Sequence, residues 1–175
     1  MSKNPQVAIV MGSDSDLEVM SEAAKVLDEL SVSYEIAILS THRVAKETSA
    51  FAKSAKQKGF KVLIAGAGGA AALPGSIASL TTLPVIGVPT ATKSLEGLDS
   101  LLSIAQMPPG VPVATVGING AKNAGLLAAQ IISTFDHSVA KNLSGYKSKQ
   151  KEDVLLKNEK LHQVGWLKYL KEKGK

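Results

Sequence analysis

The sequence predicts a doubly wound α/β domain, three layers deep, with helices on both faces of a five-stranded parallel sheet. Three observations carry this. Five short apolar runs alternate strictly with stretches long enough for a helix, which is the pattern of right-handed βαβ crossovers. The runs are nearly continuous in apolar character rather than alternating, as in strands covered on both faces. Hydrophobic residues make up 45% of the 175 but aromatic ones only 4%, so the core must be built from Ala, Val, Ile and Leu, with 15 glycines permitting close backbone approach.

The first run, "QVAIVMG" (6–12), is a β-branched strand closed by glycine. From Ser15 the spacing of Leu17, Met20, Ala24, Leu27 and Leu30 repeats at helical period, and Ser15 with Glu18 makes a capping-box pattern at its start. "SYEIAILS" (33–40) is the second strand, and "THRV" leads into a helix through "AKETSAFAKSAKQK" that Gly59 would terminate. "KVLIAGAG" (61–68) is the third strand, followed by a small-residue helix in "GGAAALPGSIASLTT", with Pro74 tolerable only in its first turn. "LPVIGVPT" (83–90) and "VPVATVGIN" (111–119) are the fourth and fifth strands, separated by a helix in "SLEGLDSLLSIAQM" and followed by one in "AKNAGLLAAQIISTF". The length suits one domain, residues 1–140, with 141–175 as a basic helical tail. That tail mixes Leu155, Leu156, Trp166, Leu167 and Leu170 with lysines, a pattern expected to pack on a neighbouring subunit.

Charge and composition exclude several functions. Residues 1–140 carry ten basic and eleven acidic side chains, a net of −1, while 141–175 carry ten and four, a net of +6. The positive charge is therefore a solvated helical face and not a nucleic-acid patch, since the tail has no arginine and no glycine-aromatic interleaving. Without cysteine there is no disulfide framework, thiolate metal site or cysteine nucleophile, and a reducing cytoplasm is the plain reading. The N-terminal "MSKNPQVAIVMGSDSD" reaches charged residues too soon for a signal peptide or a membrane span.

In open α/β sheets ligands sit beyond the carboxyl ends of the strands, where strand order reverses. The turns expected there are "GSDSD", "STHR", "GAGGAAALPG" and "NGAKNAG", each opening a helix whose N–H groups favour an anion. Their convergence points to a phosphorylated small molecule. "GAGGAA" (66–71) fits the dinucleotide pattern GxGxxG/A, but it follows the third strand and lacks the later acidic residue for a ribose hydroxyl. No GxxxxGK[ST] loop is present, and no His-rich cluster offers a metal site. Asp14 and Asp16 alone read as turn and helix-start residues.

Of three histidines, His137 and His162 read as surface or interface residues, while His42 sits on a strand-to-helix turn at the ligand edge. Its position favours proton transfer over a structural role, and histidine is the side chain that ordinarily moves protons near neutral pH. Arg43, beside it, is the only arginine among twenty basic residues. A guanidinium presents a rigid fork to two phosphate oxygens where lysine presents a mobile point charge, which sets this position apart from a chance surface arginine.

At these residues the chain resembles the N5-carboxyaminoimidazole ribonucleotide mutases of purine biosynthesis. "VMGSDSD", "STHR", "AGAGGAAALPG", "LPVIGVP", "LDSLLSIAQMPPGVPVATV" and "NAGLLAAQI" are similar to that family's blocks in order and spacing, between about residues 6 and 133. The resemblance implies a flavodoxin-like αβα sandwich with a five-stranded parallel sheet, assembled as a homo-octamer with sites at subunit contacts. It also implies an isomerase that moves a carboxyl group from the exocyclic nitrogen of its ribonucleotide substrate to the ring carbon, using no cofactor: no metal, biotin or ATP. Ser13, Asp16, Ser40 and Arg43 would bind the ribose phosphate portion, and His42 would be the general acid/base. Gly68, Gly69 and Ala72 would belong to the small-walled substrate pocket.

Two departures accompany the resemblance. The family's third block is similar to GGAAHLPG, and here Ala72 replaces its histidine, so either that position is dispensable or substrate binding is weaker. After Arg43 the family reads Thr-Pro-acid, and here "VAKE" loosens the helix start. The alternatives are direct carboxylation of aminoimidazole ribonucleotide with carbon dioxide, whose branch looks like it carries lysine after the motif histidine, and a non-catalytic nucleotide-binding protein of the same fold.

Overall fold

The computed structural model describes residues 4–174, so the first three residues of the N-terminal stretch and Lys175 lie outside it. Five parallel strands run in the order β2-β1-β3-β4-β5: β1 (Val7–Met11), β2 (Tyr34–Ile38), β3 (Val62–Gly68), β4 (Val85–Thr90) and β5 (Ala114–Thr115). Strand order reverses between β1 and β3, which places a ligand crevice at their carboxyl ends.

The period-2 alternation of side chains divides the core into two layers. Val7, Ile9 and Met11 of β1 face a cluster with Met20, Leu27 and Ile132, supplied by α1 (Leu17–Glu29) and α5 (Ala121–Ser133). Ala8 and Val10 face the opposite side, where Phe51, Leu73 and Ile104 come from α2 (Ala45–Ser54), α3 (Leu73–Ala78) and α4 (Leu98–Ala105). The first layer depends on small residues for its closeness. Gly125 lies so near α1 that a Cβ there would collide with Val26 and come within 2.9 Å of the Ala23 carbonyl oxygen.

Several elements are shorter than the sequence suggests, each for a local reason. Ser13, not Ser15, caps the first helical segment: its Oγ accepts from Ser15 N at 3.4 Å and a 3₁₀ turn (Asp14–Asp16) precedes α1. The capping box expected at Ser15 and Glu18 is replaced by this single cap bond from Ser13. Helix α2 starts at a Val44 cap with no side-chain bond and ends at Ser54, and turns carry the chain on to Gly59, whose φ of +97° reverses it. The fifth strand keeps two residues of the nine expected. Val116 N still donates to Gly87 O and Asn119 N to Pro89 O, but Pro89 has no N–H to return, so the ladder lapses.

The chain then enters α6 (His137–Val164), capped by the Asp136 carboxylate, which accepts from Ser138 N and Val139 N. Its first turns bury Val139, Leu143 and Tyr146 against the body, and Asn142 Nδ2 donates to Leu30 O. Beyond Tyr146 the helix is exposed, and α7 (Trp166–Lys173) turns back at Gly165 to pair Glu172 with Lys160. Among the described residues no helix is long and apolar enough to cross a membrane.

Candidate active site

A cleft of about 600 Å³ opens at the reversal point, over the carboxyl ends of β1, β3 and β4 and the turn after β2. Strand β1 delivers Gly12 and Ser13, and the extended backbone of Ser13 (φ −153°, ψ 158°) starts the 3₁₀ turn that carries Asp16 to the cleft wall. Strand β2 delivers Ser40 to Arg43, folded into a turn by Arg43 N and Val44 N, both donating to Ser40 O.

Arg43 ties the two turns together. Its Nη2 donates to the Gly12 carbonyl at 2.7 Å and its Nε to Ser40 Oγ at 3.2 Å. The guanidinium has five N–H donors, so Nη1 and one hydrogen on Nη2 stay available for an anion at the cleft mouth. His42 is exposed on the same turn and lines the cleft, with no side-chain hydrogen bond among the described residues. The Thr41 hydroxyl, also in the lining, is buried without a partner.

On the far wall β3 ends at Gly68, and Gly69 (φ +63°) bends the chain into two tight turns, Ala71 N to Gly69 O and Ala72 N to Ala70 O. Pro74 then sits in the first turn of α3, where its missing N–H costs nothing. Strand β4 and the turn after it supply Thr90, Ala91 and Thr92; the Thr90 hydroxyl donates to Asp16 Oδ1 at 2.9 Å, and Ala91 N donates to Asn119 Oδ1.

Ser13, Asp16, Ser40, His42, Arg43, Gly68 and Ala72 therefore line one cleft. Gly69 does not line it but shapes the wall through its positive φ. The turn after β5, expected at the ligand edge, lies outside the lining because β5 is the far edge of the sheet; its Asn119 instead braces Ala91. Thr90 and Thr92 escaped the sequence reading, although "GVPTAT" ends a strand as the other turns do and the same edge rule would have marked it; Thr41 lay within the "STHR" turn without being singled out. Among the described residues no three His, Asp or Glu side chains gather as a metal shell would require.

Comparison with known proteins is consistent across the chain. A model of the AIR carboxylase family matches residues 6–153. The N5-carboxyaminoimidazole ribonucleotide mutase of Thermotoga maritima is 54% identical over 169 residues, covering 97% of this chain and 99% of that one. The phosphoribosylaminoimidazole carboxylase of Schizosaccharomyces pombe is 52% identical over 167 residues, covering 95% of this chain but 30% of its own length. Among solved structures, Treponema denticola PurE superposes with a TM-score of 0.81 at 30% identity, covering 90% of this chain and 98% of that one.

Proposed function

Because the chain belongs to the AIR carboxylase family, we propose that its cleft holds N5-carboxyaminoimidazole ribonucleotide and isomerises it to 4-carboxy-5-aminoimidazole ribonucleotide in purine biosynthesis. The observation that carries this reading is the convergence of an arginine fork, a histidine and an aspartate on one small-walled cleft. Arg43 receives the phosphate, Ser13 and Ser40 complete its polar cradle, and Asp16 accepts from the ribose hydroxyls.

The reaction needs no external reductant, oxidant or energy donor, because bonds made and broken balance within one molecule. The exocyclic N–C bond breaks, releasing carbon dioxide that stays in the cleft, and the nitrogen regains a proton. The ring carbon then attacks that carbon dioxide, forming a C–C bond, and its hydrogen leaves as a proton. His42 accepts this proton and returns one to the nitrogen. Retaining carbon dioxide against the ring is a proximity effect, and Gly68 and Ala72 offer it a close apolar wall.

Direct carboxylation is the competing reading. The relative named a mutase matches over its full length, whereas the one named a carboxylase matches over less than a third of its own, and Arg43 follows the histidine in place of lysine. These facts support the mutase. Purified protein given N5-carboxyaminoimidazole ribonucleotide without bicarbonate should turn over; turnover only from aminoimidazole ribonucleotide plus bicarbonate overturns the assignment.

The enzyme is further assigned as a cytoplasmic homo-octamer of the catalytic domain, 1–140, and its tail, 141–175, of which Leu143 and Tyr146 pack on the chain's own body and the part beyond Tyr146 packs on a neighbouring subunit. Support comes from the absence of cysteine and from apolar side chains left in water, including Ile36 and Ile38 (54% exposed) on β2 and Leu98 and Leu102 on α4. Light scattering should give a mass near eight chains, and a monomeric mass would remove the assembly.

A further inference from the structure

We propose that Thr90 is a positioning residue for the reaction, holding the Asp16 carboxylate with Oδ1 engaged so that Oδ2 is left to accept from the ribose. The inference rests on the ribonucleotide reading of the cleft. Thr90 and Asp16 are 74 residues apart in the chain, yet the hydroxyl reaches Oδ1 at 2.9 Å across the end of β3.

Asp16 closes the 3₁₀ turn and runs on into α1 with a helical backbone (φ −85°, ψ −10°), so it lacks the extended geometry of a capping aspartate and its side chain makes no cap bond. The Thr90 hydroxyl is the one hydrogen-bond partner of its carboxylate among the described residues. The bond from Thr90 fixes one of its oxygens at the cleft wall, which both residues line.

Thr90 is equipped to give that direction. It is 3% exposed, its carbonyl accepts from Ser100 Oγ at 2.9 Å, and Ser100 is fully buried with its N–H donating to Asp99 Oδ1. Crossing β3 requires the glycine at Thr90's ladder partner, Gly68, because a Cβ there would stand 2.9 Å from the Thr90 hydroxyl oxygen. A merely structural threonine would need only its packing and the carbonyl bond to Ser100. Valine keeps both and lacks the donor.

Steady-state kinetics of Thr90→Val, Thr90→Ser, Asp16→Asn and the Thr90→Val/Asp16→Asn pair test the assignment. For Thr90→Val we expect KM to rise about tenfold with kcat within about threefold, the scale of one hydrogen bond to a charged group. Thr90→Ser should restore KM to within about twofold of the parent, and valine should add nothing in the Asp16→Asn background, as coupled residues behave. If Thr90→Val raises KM less than twofold, or its effect multiplies with that of Asp16→Asn, the positioning role is overturned. Should Thr90→Val fail to fold, Thr90→Ala takes its place under the same criteria. Calorimetric binding of aminoimidazole ribonucleotide separates this role from the reaction. A parent that binds without turnover overturns the function alone, and the variants are then judged by Kd. A parent that neither binds nor turns over overturns both.

Discussion

Replacing His42 by asparagine is expected to lower kcat by about 10²–10⁴-fold, the usual contribution of general acid/base catalysis, while KM stays within about threefold. The expectation follows from where the side chain stands. His42 is exposed on a turn whose shape is set by its neighbours, through Arg43 N and Val44 N to Ser40 O and the Arg43 guanidinium to Gly12 O. Asparagine disturbs none of these bonds, so the fold and the anion site should persist, as exposed substitutions rarely cost stability. What would be lost is the group proposed to move the proton between ring carbon and nitrogen. Turnover by the variant within about tenfold of the parent sinks the proton-transfer role.

The second large effect is expected at Arg43. Arg43→Lys should raise KM roughly tenfold or more, since hydrogen bonds to charged groups are individually worth about 1.5–3 kcal/mol and lysine keeps the charge without the fork. The arginine braces Gly12 and Ser40 at 2.7 and 3.2 Å, and in the proposed site its remaining donors would hold the phosphate. An ammonium group can serve one of these tasks but not both. The measurement is KM for the ribonucleotide alongside Tm; an unchanged KM returns Arg43 to the status of an ordinary surface residue.

How much of this was legible in the chain depended on how local each cause was. The apolar runs that became β1, β3 and β4 were readable because strands buried on both faces must be continuously apolar. The fifth strand was overread, because the residue that ends its ladder, Pro89, belongs to a different strand. Helix starts were nearly right, but the capping hydroxyl was Ser13 and not Ser15, a choice made by the extended backbone leaving β1. The proposed site shows the same division. His42 and Arg43 stood out by position and by the rarity of arginine, whereas nothing near Thr90 announces a partner 74 residues earlier. Likewise the unpartnered Thr41 hydroxyl sat inside a quoted motif, and only the fold shows that it is buried.

The aromatic residues are spread unevenly over the fold. The chain has one tryptophan, Trp166, at the start of α7 and 67% exposed, and none of its three tyrosines lines the cleft. Intrinsic fluorescence is therefore a spectroscope pointed at the tail. Ligand entering the cleft leaves the indole emission unaltered unless the tail responds, while any surface that covers α7 moves the indole out of water and shifts its emission to the blue.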